Sequence, residues 1–114
     1  MGLGRAHTRA IASNLDRSAR SCLDVGCGRG AFEFIKNVNS VGCDIYQPAL
    51  EIAKEKGYYQ DLIRCDVRYP PFEAKSFDVV ICVEVIEHLE KTDGLKLIKR
   101  MEGIACKQVM AYEG

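Results

Sequence analysis

Four short apolar segments constrain the fold of this chain more than any other feature. Each is rich in Val, Ile, Leu or Cys and is short enough to form a single β-strand. Their apolar residues mostly follow one another without alternation, which is typical of strands covered on both faces in a parallel sheet. The segments are residues 22–25, 41–45, 62–67 and 77–85, and residues 108–112 are a fifth candidate.

Helical signals lie between these predicted strands. Pro48 suits the first turn of one helix and Gly57 its end. A helix is also expected after the glycines that follow the first strand, whereas Tyr69-Pro70-Pro71 breaks regular structure before the fourth. The last predicted helix, capped by Thr92 or Asp93, has an apolar stripe at helical spacing: Leu97, Ile98, Met101, Ile104 and Ala105.

This order predicts an α/β fold with a doubly wound, mostly parallel sheet of about five strands. Right-handed crossovers place the ligand site of such a sheet at the carboxyl ends of the strands. A chain of 114 residues suffices for a single domain. We expect residues 1–20 to be a helical segment, beginning near His7 or Thr8, and residues 21–114 to form the ligand-binding core.

Composition limits the function classes. The chain has 16 acidic and 16 basic residues and a formal net charge of zero, so we expect neither nucleic-acid nor membrane-surface binding. Arg5, Arg9, Arg17 and Arg20 fit the solvated face of the N-terminal helix. No apolar segment is as long as a membrane span and no secretory signal is present, so we expect a cytoplasmic protein.

The six cysteines do not form a metal-binding pattern. No CxxC pair occurs, and four of the cysteines lie inside apolar segments. We therefore expect buried free thiols in a reducing compartment and no metal site.

The segment SCLDVGCGRGAFEF, residues 21–34, has glycines at three alternate positions directly after the first strand. Because Gly26, Gly28 and Gly30 lack Cβ atoms, the chain can turn sharply there and a ligand can approach its backbone. GCGRGA also fits the dinucleotide pattern GxGxx(G/A), so an NAD-dependent oxidoreductase remains an alternative.

Three carboxylates accompany this loop. Asp44 ends the second strand, where a carboxylate accepts from ribose hydroxyls or, alternatively, forms a local turn or caps the helix near Pro48. Asp66 ends the third strand, where it accepts from an adenine amino group or forms a turn. Asp24 lies inside an apolar strand, and a buried carboxylate needs a partner, either a ligand ammonium group or the loop amides.

Together these residues resemble the class I S-adenosylmethionine-dependent methyltransferases, in the group of small-molecule enzymes similar to ubiquinone and menaquinone methyltransferases. The resemblance covers roughly residues 20 to 113 and rests on four ordered motifs: CLDVGCGRG, VGCDIY, RCDV and YPPFEAKSFDVVICVEVIEHLEK. It implies a Rossmann-like methyltransferase fold, S-adenosylmethionine as the cofactor and a small-molecule methyl acceptor.

The resemblance also implies roles for individual residues. Asp24 and the loop Gly26, Cys27, Gly28 and Gly30 would hold the methionine part, Asp44 the ribose hydroxyls, and Asp66 with Val67 the adenine. Ile45 would also bind the cofactor. Val83 and Glu84 would line the cofactor near the transferred methyl group. The catalytic residues stay unknown; His88 and Glu84 are candidates for a general base, and His88 is equally a structural residue.

The chain departs from the resemblance at its end. Family members usually continue past the fifth strand, so we expect the C-terminal strands to be missing. The alternatives are a fragment of a longer enzyme, a non-catalytic S-adenosylmethionine-binding module, or a minimal domain that forms a homodimer through the exposed last strand.

Overall fold

A computed structural model describes residues 10–113. The predicted helix start near His7 or Thr8, together with Arg5 and Arg9, lies outside the described residues. The five strands of this part form one sheet, in which every neighbouring pair is parallel and the order is β3-β2-β1-β4-β5. The strands are β1 Ser21–Val25, β2 Asn39–Asp44, β3 Asp61–Arg64, β4 Phe77–Val83 and β5 Ala105–Tyr112.

This order confirms the predicted doubly wound α/β fold. Successive strands β1 to β3 extend in one direction, and β4 and β5 are added on the other side of β1. The reversal places the ends of β1 and β4 side by side, with Val25 paired to Cys82. Ligands bind at this kind of switch point in open parallel sheets.

In residues 10–113, three α-helices lie between and before the strands. Residues 10–14 form α1, and Gln47–Lys56 and Lys91–Ile104 form α2 and α3. The prediction of a helical segment up to residue 20 is wrong in its last part, because Arg17 and Arg20 lie in the turn region between α1 and β1. Pro48 lies in the first turn of α2, and Gly57 ends that helix with a φ of 72°, as the sequence predicts. α3 begins at Lys91, ahead of the predicted caps Thr92 and Asp93, because the extended residue Glu90 precedes it.

The connection from β1 to β2 differs from the prediction. It contains a 3₁₀ helix at Glu33–Asn37 instead of a full α-helix. Because β2 already begins at Asn39, little chain remains after the glycine loop for a longer helix. Phe32 and Ile35 are buried and hold this short connection against the sheet.

Several strand ends also differ from the prediction. β3 stops at Arg64 and β4 at Val83, so Asp66 and Glu84 follow their strands instead of ending them. β2 stops at Asp44, so that Ile45 lies beyond it. β5 begins at Ala105, three residues before the predicted start at Gln108, because α3 leads into it directly.

Both faces of the sheet are covered, which explains the uninterrupted apolar segments. One buried cluster joins alternate strand residues to α3, including Leu23, Val80 and Leu97. The other joins the opposite strand residues to the β1–β2 connection and to α1, including Ile35 and Ile11. Among residues 10–113 no helix is long and apolar enough to cross a membrane.

Candidate functional site

The glycine loop follows β1 at the carboxyl edge of the sheet. Gly26, Gly28 and Gly30 all have positive φ angles, of 72°, 53° and 78°. At Gly26 a Cβ atom would lie 2.4 Å from Val85 Cγ2, so the loop also needs glycine there for its close contact with the chain after β4. The loop is therefore shaped by backbone conformations that residues with side chains rarely adopt.

Asp44 fastens this loop to the end of β2. Its Oδ2 accepts from the Gly28 amide at 2.9 Å, and its Oδ1 accepts from the Tyr46 amide at 3.0 Å. The predicted local turn is therefore present. A carboxylate has about four acceptor positions, so these two bonds leave capacity for ribose hydroxyls.

Asp24 is 2% exposed and lies in the middle of the sheet on β1. Its Oδ2 accepts from the Tyr59 hydroxyl at 2.5 Å. The pKa of Asp24 is raised to about 7, because burial raises it more than the Tyr59 hydrogen bond lowers it; the charge of Asp44 also raises it. Tyr59 was not among the site residues predicted from the sequence. Its only signal there is its position shortly after Gly57, where α2 ends.

Asp66 lies in a turn that follows β3, two residues after Arg64. Its Oδ1 accepts from the Arg68 amide at 3.0 Å, and its carboxylate pairs with the Arg68 guanidinium at 2.7 Å. Hydrogen bonds from Arg68 lower the pKa of Asp66 to about 2. Val67 packs against the α3 side of the core, whereas Ile45 is 53% exposed at the same edge.

A cleft of about 300 Å³ opens between the glycine loop and the end of β4. Asp24, Val83 and Glu84 line it. Arg29, Ala31 and Phe32 also line it, although sequence reasoning did not select them. Six of the predicted cofactor-binding residues line this cleft: Asp24, Gly26, Cys27, Gly28, Val83 and Glu84.

The remaining predicted residues do not line this cleft. Gly30 closes the loop, Asp44 holds it, and Ile45, Asp66 and Val67 follow the neighbouring strands. A larger groove of about 510 Å³ lies along α2 and β3, and none of the predicted site residues lines it.

The two candidate bases have different surroundings. Glu84 has a φ of 58°, and its amide donates to the Tyr112 carbonyl at 2.8 Å. Backbone strain of this kind at a ligand edge is a reason to suspect function. His88 ends the 3₁₀ helix Ile86–His88, has a side chain that is 75% exposed, and does not line the cleft. Glu84 and His88 thus do not lie on a common α-helical turn.

The six cysteines carry free thiols, and Cys22, Cys27, Cys43 and Cys82 are buried. Burial raises the pKa of each of these four thiols, that of Cys82 to about 12. In the described part of the chain no group of three or more His, Cys, Asp or Glu side chains could hold a metal ion.

Comparison with known families decides among the alternatives. A family profile described as a methyltransferase domain matches residues 23–108. The chain belongs to the methyltransferase domain family. The match includes Asp24, the glycine loop, Asp44, Asp66 and the end of β4, which favours this assignment over the dinucleotide alternative.

Two curated relatives cover most of the chain. It is 34% identical over 93 residues to a probable tRNA methyltransferase 9B of Homo sapiens, and the matched region is 78% of this chain and 20% of that relative. It is 32% identical over 107 residues to a ubiquinone biosynthesis O-methyltransferase of Haemophilus ducreyi, which covers 83% of this chain and 42% of that relative. The chain therefore spans less than half the length of these relatives.

Solved structures agree on the fold. A SAM-dependent methyltransferase from Archaeoglobus fulgidus matches with a TM-score of 0.75 and 25% identity, over 91% of this chain and 48% of that protein. The five-stranded sheet thus corresponds to about half of a methyltransferase fold.

Proposed function

We propose that this chain binds S-adenosylmethionine at the carboxyl edge of its sheet and serves as the cofactor-binding part of a methyltransferase. One observation carries the proposal: the loop of three left-handed glycines is tied to the end of β2 through the Gly28 amide, which donates to Asp44, and this carboxylate keeps acceptor capacity for ribose hydroxyls. The family match over residues 23–108 supports the same conclusion.

We propose one orientation of the cofactor along this edge. The methionyl end enters the cleft, where the buried carboxylate of Asp24 opposes its ammonium charge and the loop Gly26–Gly30 contacts it through the backbone. Asp44 accepts from the ribose hydroxyls, and the exposed Ile45 side chain packs against the nucleoside. Asp66 and Val67 flank the adenine, with Arg68 holding the Asp66 carboxylate in place.

The bound cofactor supplies an activated methyl group on a sulfonium. The chain's own contribution is to orient that group and keep water away, because an in-line displacement depends mainly on proximity and alignment. Val83 and Glu84 line the cleft where the methyl group would lie. Glu84 or His88 would accept a proton only for an acceptor that must lose one, such as a phenol.

We further propose that the acceptor is a small molecule. The zero net charge offers no general attraction to RNA, and the relatives include a ubiquinone biosynthesis O-methyltransferase. Because another relative is a probable tRNA methyltransferase, transfer RNA is the alternative to be tested beside phenolic acceptors. A cytoplasmic location and a homodimer across the edge strand β5 remain predictions.

Calorimetric titration with S-adenosylhomocysteine, beside a titration with NAD, tests the proposed cofactor. We expect saturable one-to-one binding of the first and none of the second. Binding of NAD alone would overturn the proposal. Radiolabelled methyl transfer to phenols or to transfer RNA would then separate an active enzyme from a binding module and identify the acceptor class.

A further inference from the structure

Tyr59 lies behind the cleft and not in it. Its hydroxyl donates to Asp24 Oδ2 at 2.5 Å, which is at the short end for a hydrogen bond to a carboxylate. The cleft lining includes Asp24 but not Tyr59. A ligand in the cleft would therefore meet Asp24, and Tyr59 would act on the ligand only through Asp24.

Glycine residues at two positions leave space for the Tyr59 ring. A Cβ atom on Gly42 of β2 would lie 3.0 Å from Tyr59 Cε1, and one on Gly30 of the loop would lie 3.1 Å from Tyr59 Cε2. The Gly30 position also faces Ala53 of α2, at 3.4 Å. The ring is thus packed between the glycine loop, β2 and α2, which limits the positions that its hydroxyl can take.

The polar surroundings of Asp24 give this hydroxyl a specific role. Asp24 accepts a hydrogen bond from Tyr59 and interacts with the charge of Asp44 at the end of β2. Its own charge helps to raise the pKa of three neighbouring thiols, those of Cys22, Cys27 and Cys82. Burial raises the pKa of Asp24, the hydrogen bond from Tyr59 lowers it, and the charge of Asp44 raises it. Burial and the Asp24 charge in turn raise the pKa of Tyr59, so the phenol keeps its proton and remains a donor.

We propose that Tyr59 is a positioning residue of the cofactor site: its hydroxyl fixes Asp24 Oδ2 and stabilises the carboxylate, so that Oδ1 can accept from the ammonium group of the methionyl ligand. This inference rests on the proposed function and adds a residue outside the cleft to it. Without the hydroxyl, Asp24 would take up a proton more readily and would lose the charge that attracts the ammonium group.

The test compares Tyr59→Phe with the wild-type chain between pH 6 and pH 8.5, using calorimetry with S-adenosylhomocysteine. Wild-type affinity should rise as the pH passes through about 7. If loss of the hydrogen bond raises the proton affinity of Asp24 about tenfold, Tyr59→Phe should bind about fivefold more weakly at pH 7 and less than about twofold more weakly at pH 8.5. Tyr58→Phe is the matched control, because Tyr58 packs against the same core cluster, and it should follow the wild-type curve.

A merely structural role for Tyr59 predicts a different result. In that case Tyr59→Phe would weaken binding by the same factor at every pH, and this outcome, or an unchanged affinity, would overturn the proposal. A second measurement needs no ligand: the ¹³C resonance of the Asp24 carboxyl should titrate at higher pH in Tyr59→Phe than in the wild-type chain. If that shift occurs but no variant binds S-adenosylhomocysteine, the coupling of Tyr59 to Asp24 stands and the proposed cofactor is wrong. If the titration does not move, the inference fails even where the ligand binds.

Discussion

Replacing Asp24 by Asn should stabilise the ligand-free fold above neutral pH, although it removes the charge that opposes the ligand ammonium group. Asp24 is fully buried in the sheet, and burial raises its pKa from 3.8 to about 7. The unfolded chain therefore ionises this carboxyl at a lower pH than the folded chain does. Between the two pKa values the folded state holds the extra proton, so stability declines as the pH rises.

The size of this effect follows from the two pKa values. Between pH 5 and pH 8, the ionisation of Asp24 should lower the unfolding free energy of the wild-type chain by about 2–3 kcal/mol. Asn has nearly the same shape, can accept the Tyr59 hydrogen bond and does not ionise. The stability advantage of Asp24→Asn over the wild type should therefore grow by about 2–3 kcal/mol between pH 5 and pH 8.

Urea denaturation of both proteins at several pH values measures this difference directly. All other titrating groups are shared and largely cancel in the comparison. If the two stability curves run parallel from pH 5 to pH 8, Asp24 is not a buried group with a raised pKa and the reasoning is refuted. Asp24→Asn should also bind S-adenosylhomocysteine more weakly, which would show that the unfavourable burial of this charge serves the ligand.

Four further predictions concern the same edge and the core. Asp44→Ala should weaken calorimetric binding of S-adenosylhomocysteine by about 1–3 kcal/mol, because it removes a charged acceptor. Gly26→Ala should lower the melting temperature and the affinity, since the new methyl group would lie 2.4 Å from Val85 Cγ2. Glu84→Gly should leave the melting temperature nearly unchanged, because glycine tolerates a φ of 58°, but should weaken binding through the altered cleft wall. Iodoacetamide should modify the exposed Cys106 first and the four buried cysteines only on unfolding, as mass spectrometry would show.

Three variants away from the cleft are the matched controls. Gly57→Ala imposes the same φ of 72° where nothing lies within 4 Å, so it should cost about 1 kcal/mol of stability and leave the affinity unchanged. Lys75→Gly relieves a φ of 58° in the turn before β4 and should not alter binding. Asp61→Ala removes a carboxylate at the amino end of β3 and should also bind normally. Equal losses of affinity in a site variant and its control would contradict the assigned site.

The sheet was predictable from the sequence because its determinants are local. Uninterrupted apolar segments require cover on both faces, and Pro48 and Gly57 mark the ends of α2 directly. The glycine loop and Asp44 were predictable for the same reason, since the loop follows β1 directly and Asp44 is the last residue of β2. Because the sheet is parallel, the carboxyl ends of its strands all lie at the same edge.

The features that sequence reasoning missed depend on contacts between distant parts of the chain. Tyr59 reaches Asp24 across a separation of 35 residues, and its place is visible only once Gly30 and Gly42 are seen to leave room for the ring. The end of β4 is set by the left-handed Glu84, whose amide binds the carbonyl of Tyr112 on β5. The short 3₁₀ connection after the glycine loop follows from the early start of β2, which the apolar pattern placed two residues later.

The central claim is that the chain binds S-adenosylmethionine at the carboxyl edge of its sheet. A crystal structure determined from crystals soaked with S-adenosylhomocysteine would test this claim most directly. The account predicts electron density at the carboxyl edge, with the ligand amine within hydrogen-bond distance of Asp24, the ribose hydroxyls on Asp44 and the adenine between Ile45 and Asp66. Density for the ligand at another surface, such as the groove along α2 and β3, would contradict the assigned site.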